Sequence, residues 1–463
     1  MTPSGVSGPS RREWLRLVTA GFAGASWGRD AFAAAPDESK AKSPLTITGL
    51  KVTPIALPDP PLLFAGGCHG PYFLRNLVEI QTDAGIVGIG ETVGGEGNTT
   101  ALERARKVIV GQNAFGYRGF AKELLKIGVG CYAGIELACL DAVGKASGRR
   151  VCELLGGPVR DPVEFAAYLF YRYPADHPVV LSDPRIAAGD PRGTGSKALD
   201  AWGEVRSPRA MADLAEGFRE RWGFRVFKLK AGVLPPDAER ETLEAMAAKL
   251  GPKARLRIDP NGRWTVPTAL RVGKAVRAAG LNLEYYEDPV TGQKAMAEVR
   301  RGTGLPMSTN MCVTSFAHLA EAFQVKPIDV LLADLHYFGG FAGCQALGPV
   351  ADAAGWALSQ HSNNHAGVTM AAMIHLAACI PQLTAASDTH YLWLPEGADI
   401  LKGPNLTIRD GAMSVPAGPG LGVELDPDRV ARANEIYRKT PMRRRDDAPL
   451  MRRLEPGWTG KPL

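Results

Sequence analysis

The chain has 463 residues, 45% of them hydrophobic and 22% charged. At roughly 100–200 residues per domain this is two or three domains, or one barrel with a partner domain, and the balance is that of a soluble globular protein. The formal net charge of +6 is a mild excess without the Lys/Arg stripe and interleaved aromatics of a nucleic-acid binder, and no apolar run in the body of the chain reaches the roughly 18 residues a membrane span needs.

The first element in chain order reads as an address. Ser10-Arg11-Arg12-Glu13-Trp14-Leu15 is a twin-arginine pattern, an apolar stretch runs from Leu15 to Trp27, and Ala31-Phe32-Ala33-Ala34 is the small-x-small pattern of a cleavage site. Charged start, apolar middle and small-residue end are the parts of an export signal. Residues 1–35 are therefore expected to be a twin-arginine signal and 36–44 a polar linker. This predicts a periplasmic or exported protein with no stable membrane anchor once the signal is removed. The seven cysteines are scattered and lack CxxC spacing, so they read mostly as buried small apolar residues.

Residues 45–95 show period-two alternation, in Thr46-Ile47-Thr48-Gly49-Leu50-Lys51-Val52-Thr53, in Asn76-Leu77-Val78-Glu79-Ile80-Gln81-Thr82 and in Gly85-Ile86-Val87-Gly88-Ile89-Gly90-Glu91. That pattern predicts a small antiparallel meander, and the helical spacing of 100–155 completes an α+β domain over 45–160. From 161 to 400 short β-rich runs alternate with amphipathic helical runs. The β runs end near Phe170, Lys230, Asp259, Glu287, Asn310, Asp334, His361 and Asp388. After the first interval the gaps are about 23–29 residues, the length of one strand–loop–helix–loop unit. Eight such units predict a (β/α)₈ barrel of the TIM type. A doubly wound sheet would alternate similarly, but no Gly-x-Gly-x-x-Gly phosphate loop is present. In a barrel the eight run-ends converge on one face.

Three oxygen donors, Asp259, Glu287 and Asn310, fall on consecutive strands, in Asp259-Pro260-Asn261-Gly262, Glu287-Asp288-Pro289 and Thr309-Asn310-Met311. Such a set holds a hard cation with positions open for water and substrate, which favours Mg²⁺. Lys228 and Lys230 stand two apart on a strand and share a side. Two adjacent ammonium groups near a metal are expected to lower a lysine pKa toward the range of a general base. Asp334 and His361 end neighbouring strands, where a carboxylate on one imidazole nitrogen sets the tautomer and raises basicity at the other.

The ordered set of Lys-x-Lys, Asp, Glu, Asn and an Asp–His pair resembles the enolase superfamily, and within it the glucarate dehydratases. The motifs that carry the resemblance are Phe227-Lys228-Leu229-Lys230-Ala231-Gly232, Thr309-Asn310-Met311, His361-Ser362-Asn363-Asn364-His365 and Asp388-Thr389-His390. It runs from about residue 45 to the end of the chain. It implies a capping domain completed by residues 401–463, Mg²⁺, and an acid-sugar substrate, with further copies of the chain as an expected partner. A Lys or His base with Mg²⁺ stabilising an ene-diolate is the general pattern of that superfamily, and it enters through the resemblance, not as a deduction from this chain. The expected catalytic residues are Lys228, Lys230, Asp334 and His361, with Asn261 a polar contact close to the metal ligands Asp259, Glu287 and Asn310. Carried over from the family pattern, His69, Tyr168, Phe170, Asn363, His390 and Arg445 would face the sugar acid. Tyr168 and Phe170 could instead fill the first strand, and Arg445 lies in a basic run, Arg443-Arg444-Arg445.

The chain departs from the family pattern in three places. A loop that normally carries a substrate-contacting hydroxyl is compressed to Ile127-Gly128-Val129-Gly130-Cys131. The stretch 184–202 is rich in Gly, Asp and Ala, and Leu335-His336 follows Asp334 in place of the usual proline and histidine. Dehydration of an acid sugar is the expected reaction. Racemisation or epimerisation on the same site is the alternative, and an exported binding protein without catalysis is a third reading that would need neither base.

Overall fold

The computed structural model describes residues 45–189 and 202–463 as part of one compact unit. The export-signal and linker segments, and most of the Gly/Asp/Ala-rich stretch, lie outside the described residues. No described helix is long and apolar enough to cross a membrane.

The alternating segments form β1 (Ile47–Pro58), β4 (Tyr72–Thr82) and β5 (Val87–Val93), an antiparallel sheet in the order β1-β4-β5. On its outer face Lys51 Nζ pairs with Glu79 Oε2 at 2.7 Å, as the Lys51–Glu79 register requires. β1 and β4 run longer than their alternation predicts, because Ile55, Ala56 and Leu57 are all buried and so carry no period-two signal. The inner face packs on helix Val129–Ser147, which is buried from Cys131 to Gly144. Gly88 and Gly90 permit that approach: a Cβ would stand 2.0 Å from the Ala138 carbonyl oxygen and 2.2 Å from that of Gly134.

Between β1 and β4 lies a hairpin of β2 (Leu62–Phe64) and β3 (Gly67–Cys68) that leaves this sheet altogether. It pairs antiparallel with β6 (Val163–Arg172), matching Leu62 to Arg172. This excursion carries His69 to the barrel.

The barrel strands are β6, β7 (Val226–Lys230), β8 (Arg255–Asp259), β9 (Leu283–Glu287), β10 (Met307–Thr309), β11 (Val330–Ala333), β12 (Ala357–Gln360) and β13 (Ser387–Asp388). β6 to β12 pair parallel in chain order and β13 pairs parallel with β6, while the segment before β13 meets β12 where Ala385 N–H donates to the Leu358 carbonyl at 3.1 Å. The predicted run-ends fall within two residues of the observed strand ends. In-register rows, Phe170–Lys230–Asp259 among them, line up the ends of β6, β7 and β8. The helices between strands start on local signals, as where Ser207 and Thr265 accept from Ala210 N–H and Thr268 N–H and each is followed within two residues by a proline. β14 (Ala412–Met413) pairs antiparallel with the start of β6.

The C-terminal residues return to β1 and to the β2–β3 hairpin. Asn434 Nδ2 on helix Pro427–Lys439 donates to the Pro54 carbonyl at 2.7 Å, and the Asp447 carbonyl accepts from Cys68 N–H at 3.0 Å. All seven cysteines are free, and all but Cys312 are buried.

Candidate active site

The predicted residues meet at the C-terminal face of the barrel. His69, Tyr168, Phe170, Lys230, Asn261, Asn310, His361, Asn363, His390 and Arg445 line one cavity of about 800 Å³. Lys228, Asp259, Glu287 and Asp334 lie buried around it. Val129, from the compressed loop, presents methyl groups to the same cavity.

The carboxylates of β8 and β9 are interleaved with the two lysines. Lys230 Nζ lies 2.5 Å from Asp259 Oδ2, and Lys228 Nζ lies 3.4 Å from the same oxygen. Lys228 also donates to Glu287 Oε1 and to Asp388 Oδ2, each at 2.7 Å. Lys228 does lower the Lys230 pKa, as expected, but the neighbouring carboxylates reverse the net shift. Burial does favour the neutral amines, but Asp388 and Glu287 outweigh it at Lys228, and Asp259 outweighs it at Lys230, so both are held above the usual lysine range. Both ammonium groups contact Asp259 Oδ2.

The oxygen donors suit a hard cation. Asp259 and Glu287 are fully buried side by side, and burial together with the Asp259 charge pushes the Glu287 carboxyl well above its ordinary value. Glu287 Oε2 receives no hydrogen bond of usable angle although Lys228 Nζ stands 2.7 Å away, and Asn261 Oδ1 is buried without a partner. Placed by its hydrogen-bond partners, the Asn310 amide nitrogen faces Glu287 Oε1 at 3.2 Å and Asp288 Oδ2 at 3.1 Å, and its oxygen faces His361 Nε2 at 2.9 Å. Two carboxylates on adjacent strands with oxygens left over, joined by the Asn310 amide once a bound cation turns its oxygen toward them, are what a Mg²⁺-type ion takes and what a Zn²⁺ ion does not prefer. Asn261 adopts φ 51°, a left-handed turn that Asn tolerates, with its N–H on Asp259 Oδ1 at 2.9 Å. The Asp-Pro-Asn-Gly segment is thus both a turn and a site.

Asp334 Oδ2 faces His361 Nδ1 at 2.7 Å, so the pair forms as the strand order predicts. Its other oxygen is not free: Oδ1 accepts from His336 N–H at 2.7 Å and lies 3.2 Å from His336 Nδ1. Burial alone would raise the Asp334 pKa, but the bonds from His336 and His361 outweigh it and hold the carboxyl well below the usual range. The Tyr337 ring stacks on His361 with centroids 5.7 Å apart, and its hydroxyl accepts from Asn363 Nδ2 at 3.1 Å.

The wall formed by β6 and the β2–β3 hairpin is aromatic and uncharged. Tyr168 lies under both lysines, 4.7 Å from Lys228 Nζ, and its ring and that of Phe170 face the cavity instead of only filling the strand. His69 and His390 stack at 5.2 Å. Burial, then Arg445, holds His69 down at about 3, and burial keeps His390 well below its ordinary value. Arg445, although in a basic run, reaches His69 Nε2 at 3.0 Å and Asn364 Oδ1 at 3.2 Å. Asp59, His69 and His390 also cluster closely enough to suggest a second metal site. There, however, Asn364 Nδ2 donates to Asp59 at 2.7 Å and the Arg445 guanidinium donates to His69, so cationic and N–H groups already occupy the cluster.

Sequence reasoning missed Asp388 as a site residue, although it ends the eighth strand. It also missed Asp288, Asn364, Tyr337 and His336. Asn364 sits inside the His-Ser-Asn-Asn-His motif, and Tyr337 and His336 follow Asp334 directly. No local pattern separates those residues from their neighbours.

A closed parallel barrel with an α+β cap, a carboxylate cluster and two sets of bases at its mouth defines a capped-barrel enzyme. The comparisons give the family. Residues 210–429 match the enolase C-terminal domain-like family and residues 73–156 the mandelate racemase / muconate lactonizing enzyme N-terminal domain. The chain is 41% identical over 444 residues to a probable glucarate dehydratase of Streptomyces coelicolor, covering 89% of this chain and 97% of that protein. Its fold is similar to an enolase from Mycobacterium smegmatis complexed with tartrate (TM-score 0.82, 38% identity, 91% of this chain and 99% of that one). It is equally similar to an enolase from Thermobispora bispora complexed with magnesium and formate (TM-score 0.82, 39% identity, 90% and 99%). The chain belongs to the enolase superfamily.

Proposed function

We propose that the protein is a Mg²⁺-dependent acid-sugar dehydratase acting on glucarate or a close relative. The observation that carries this reading is the placement of two bases around one oxygen-donor cluster. Lys230 ends β7 and His361 follows β12, with Asp259, Glu287 and Asn310 on the strands between them. The 41% identity to a probable glucarate dehydratase supports the substrate class.

A proton α to a carboxylate is very weakly acidic, and its removal places a second negative charge on the carboxylate. Asp259, Glu287 and Asn310 would hold Mg²⁺, and the chemistry supplied when it is bound is Lewis-acid stabilisation of that charge. Lys230, as the neutral amine left when its own proton has passed to solvent and Asp259 has turned to the ion, takes the α-proton, and the C–H electron pair moves into the carboxylate. Lys228, oriented by Glu287 and Asp388, donates a hydrogen bond to the oxygen where charge accumulates. The electron pair then returns to expel the β-hydroxide, to which His361 gives a proton, so that water leaves. The enol product tautomerises to a keto-deoxy acid. Asp334 orients His361 throughout. His69, Asn363, His390 and Arg445 contact the hydroxyls and the distal carboxylate, and Tyr168 and Phe170 exclude water from the reacting face.

Epimerisation would use the same two bases without elimination, and the product distinguishes the two. Protein incubated with Mg²⁺ and D-glucarate in D₂O is expected to give keto-deoxy-glucarate signals in the proton NMR spectrum. Loss of the α-proton signal with no new product would favour epimerisation. An unchanged spectrum would remove glucarate as the substrate.

A further inference from the structure

The two loops that carry Asp334 and His361 are both held by the N-terminal α+β elements. Glu136, on helix Val129–Ser147, accepts from Phe341 N–H at 2.5 Å and Ala342 N–H at 3.1 Å, where helix Gly340–Ala354 begins after the Asp334 loop. Gly340 makes room for it with φ 69°, since a Cβ there would stand 1.7 Å from Glu136 Oε2. Glu91, on β5, accepts from Ala366 N–H at 2.9 Å and Thr369 N–H at 2.8 Å, where helix Gly367–Cys379 begins after the His361 loop. Arg75, on β4, joins these contacts to the acid–base pair. Its Nε donates to Glu91 Oε1 at 2.6 Å, and its Nη2 donates to Thr369 Oγ1 at 3.2 Å and lies 3.3 Å from His336 Nε2.

A guanidinium has donors and no acceptor. The ring nitrogen of His336 that meets Arg75 therefore carries the lone pair, and its proton sits on Nδ1, facing Asp334 Oδ1. We propose that Arg75 sets the tautomer of His336, and that His336, so set, is a positioning residue that braces the Asp334 carboxylate for His361. One hydrogen bond to His361 leaves a carboxylate free to rotate about its Cβ–Cγ bond. A second oxygen held by two donors fixes its plane, and with it the direction in which the imidazole points. The orientation of an acid–base group in the barrel thus depends on the docking of β4 and β5. The catalytic consequence rests on the reading under Proposed function; the hydrogen-bond relay does not.

The test is a long-range proton–nitrogen NMR spectrum of the imidazoles in the whole protein, which has eight histidines. His336 is assigned by its loss in His336→Asn. The wild type is expected to show His336 with its proton on Nδ1. In Arg75→Lys, which keeps a cation beside Glu91 but lacks the second nitrogen, His336 is expected to become a tautomer mixture. A His336 proton on Nε2 in the wild type, or no change in Arg75→Lys, overturns the tautomer assignment. The His361 Nδ1–H resonance reports the bond to Asp334. It is expected to shift or broaden in His336→Leu and to return in His336→Asn, whose amide nitrogen stands where Nδ1 stood. Equal behaviour of the two variants overturns the positioning role. Failure of every acid sugar to react would overturn the dehydratase reading and leave these spectra to decide the relay. With a reacting substrate, His336→Leu is expected to lose about a hundredfold in kcat at little-changed KM, and His336→Asn to recover most of it.

Discussion

Lys228 Nζ lies 2.7 Å from Asp388 Oδ2, and the other oxygen of Asp388 lies 3.0 Å from Arg257 Nη1. Arg257 Nε continues the chain to Glu284 Oε2 at 2.6 Å, so a ladder of alternating charges runs down the barrel interior beneath the cavity. Removing its middle member leaves two buried cations facing a neutral amide. Asp388→Asn is expected to lower unfolding stability by about 3–5 kcal/mol, measured by urea titration, and to reduce turnover as Lys228 loses an anchor. Wild-type stability in that variant would show the ladder to be energetically idle.

The oxygen cluster predicts a linkage between the ion and stability. Mg²⁺ at a hundred times its dissociation constant is expected to raise unfolding stability by about 2.7 kcal/mol, and a chelator to reverse it. Asp259→Asn is expected to abolish the increment. An increment that survives in that variant places the ion elsewhere.

The two bases separate by isotope. In D₂O, Lys230→Ala is expected to abolish exchange of the α-proton that Lys230 removes. His361→Gln is expected to keep that exchange while losing elimination, by roughly 10²–10⁴-fold. Loss of both activities in both variants would mean that the residues do not act on separate faces.

Arg445 is exposed at the cavity mouth and bonded to His69 and Asn364. A charge-assisted hydrogen bond to a substrate carboxylate contributes about 1.5–3 kcal/mol. Arg445→Leu is therefore expected to raise KM for a dicarboxylic sugar acid by about tenfold or more, and to change KM little for the monocarboxylic analogue. A parallel loss on both substrates would argue that Arg445 only supports the pocket wall.

Glu136 is buried between the two helices it joins, and burial pushes its carboxyl up to about 7 despite bonds from Ala342, Tyr132 and Phe341. An unfolded glutamate ionises near 4.5. Below that pH both states are protonated. Between there and 7 the unfolded chain is charged while the folded one is not, so this residue's contribution to stability declines as pH rises. The stability of Glu136→Gln relative to wild type is expected to improve by ~3 kcal/mol between pH 4.5 and 7.5. Parallel stability–pH curves would show that Glu136 is already ionised in the fold.

Much of the site was legible because its residues end strands. A β run followed by a helical run can be read locally, so Lys230, Asp259, Glu287 and the His361 segment could be placed at one face before any contact was known. The chemistry of Asp259, Glu287 and Asn310 as oxygen donors followed from residue type alone. The lysine protonation did not. Lys228-Leu229-Lys230 shows two like charges in sequence, whereas Asp388 and Glu287, from distant strands, set the balance in space. The β2–β3 hairpin was equally hidden, since strands of three and two residues carry no period.

What the amino-acid order determined by itself was the repeat of strand and helix, the closure of eight units, and the identity of the groups at their ends. Periodicity and side-chain chemistry are properties of short segments, and a barrel only gathers what the segments already present. The tertiary structure alone decided the partners: Asp388 between Lys228 and Arg257, Asn364 against Asp59, and Arg75 against His336 across a separation of 261 positions. Those contacts join residues far apart in the chain, and a buried charge takes its state from whichever groups the packing brings within hydrogen-bond reach.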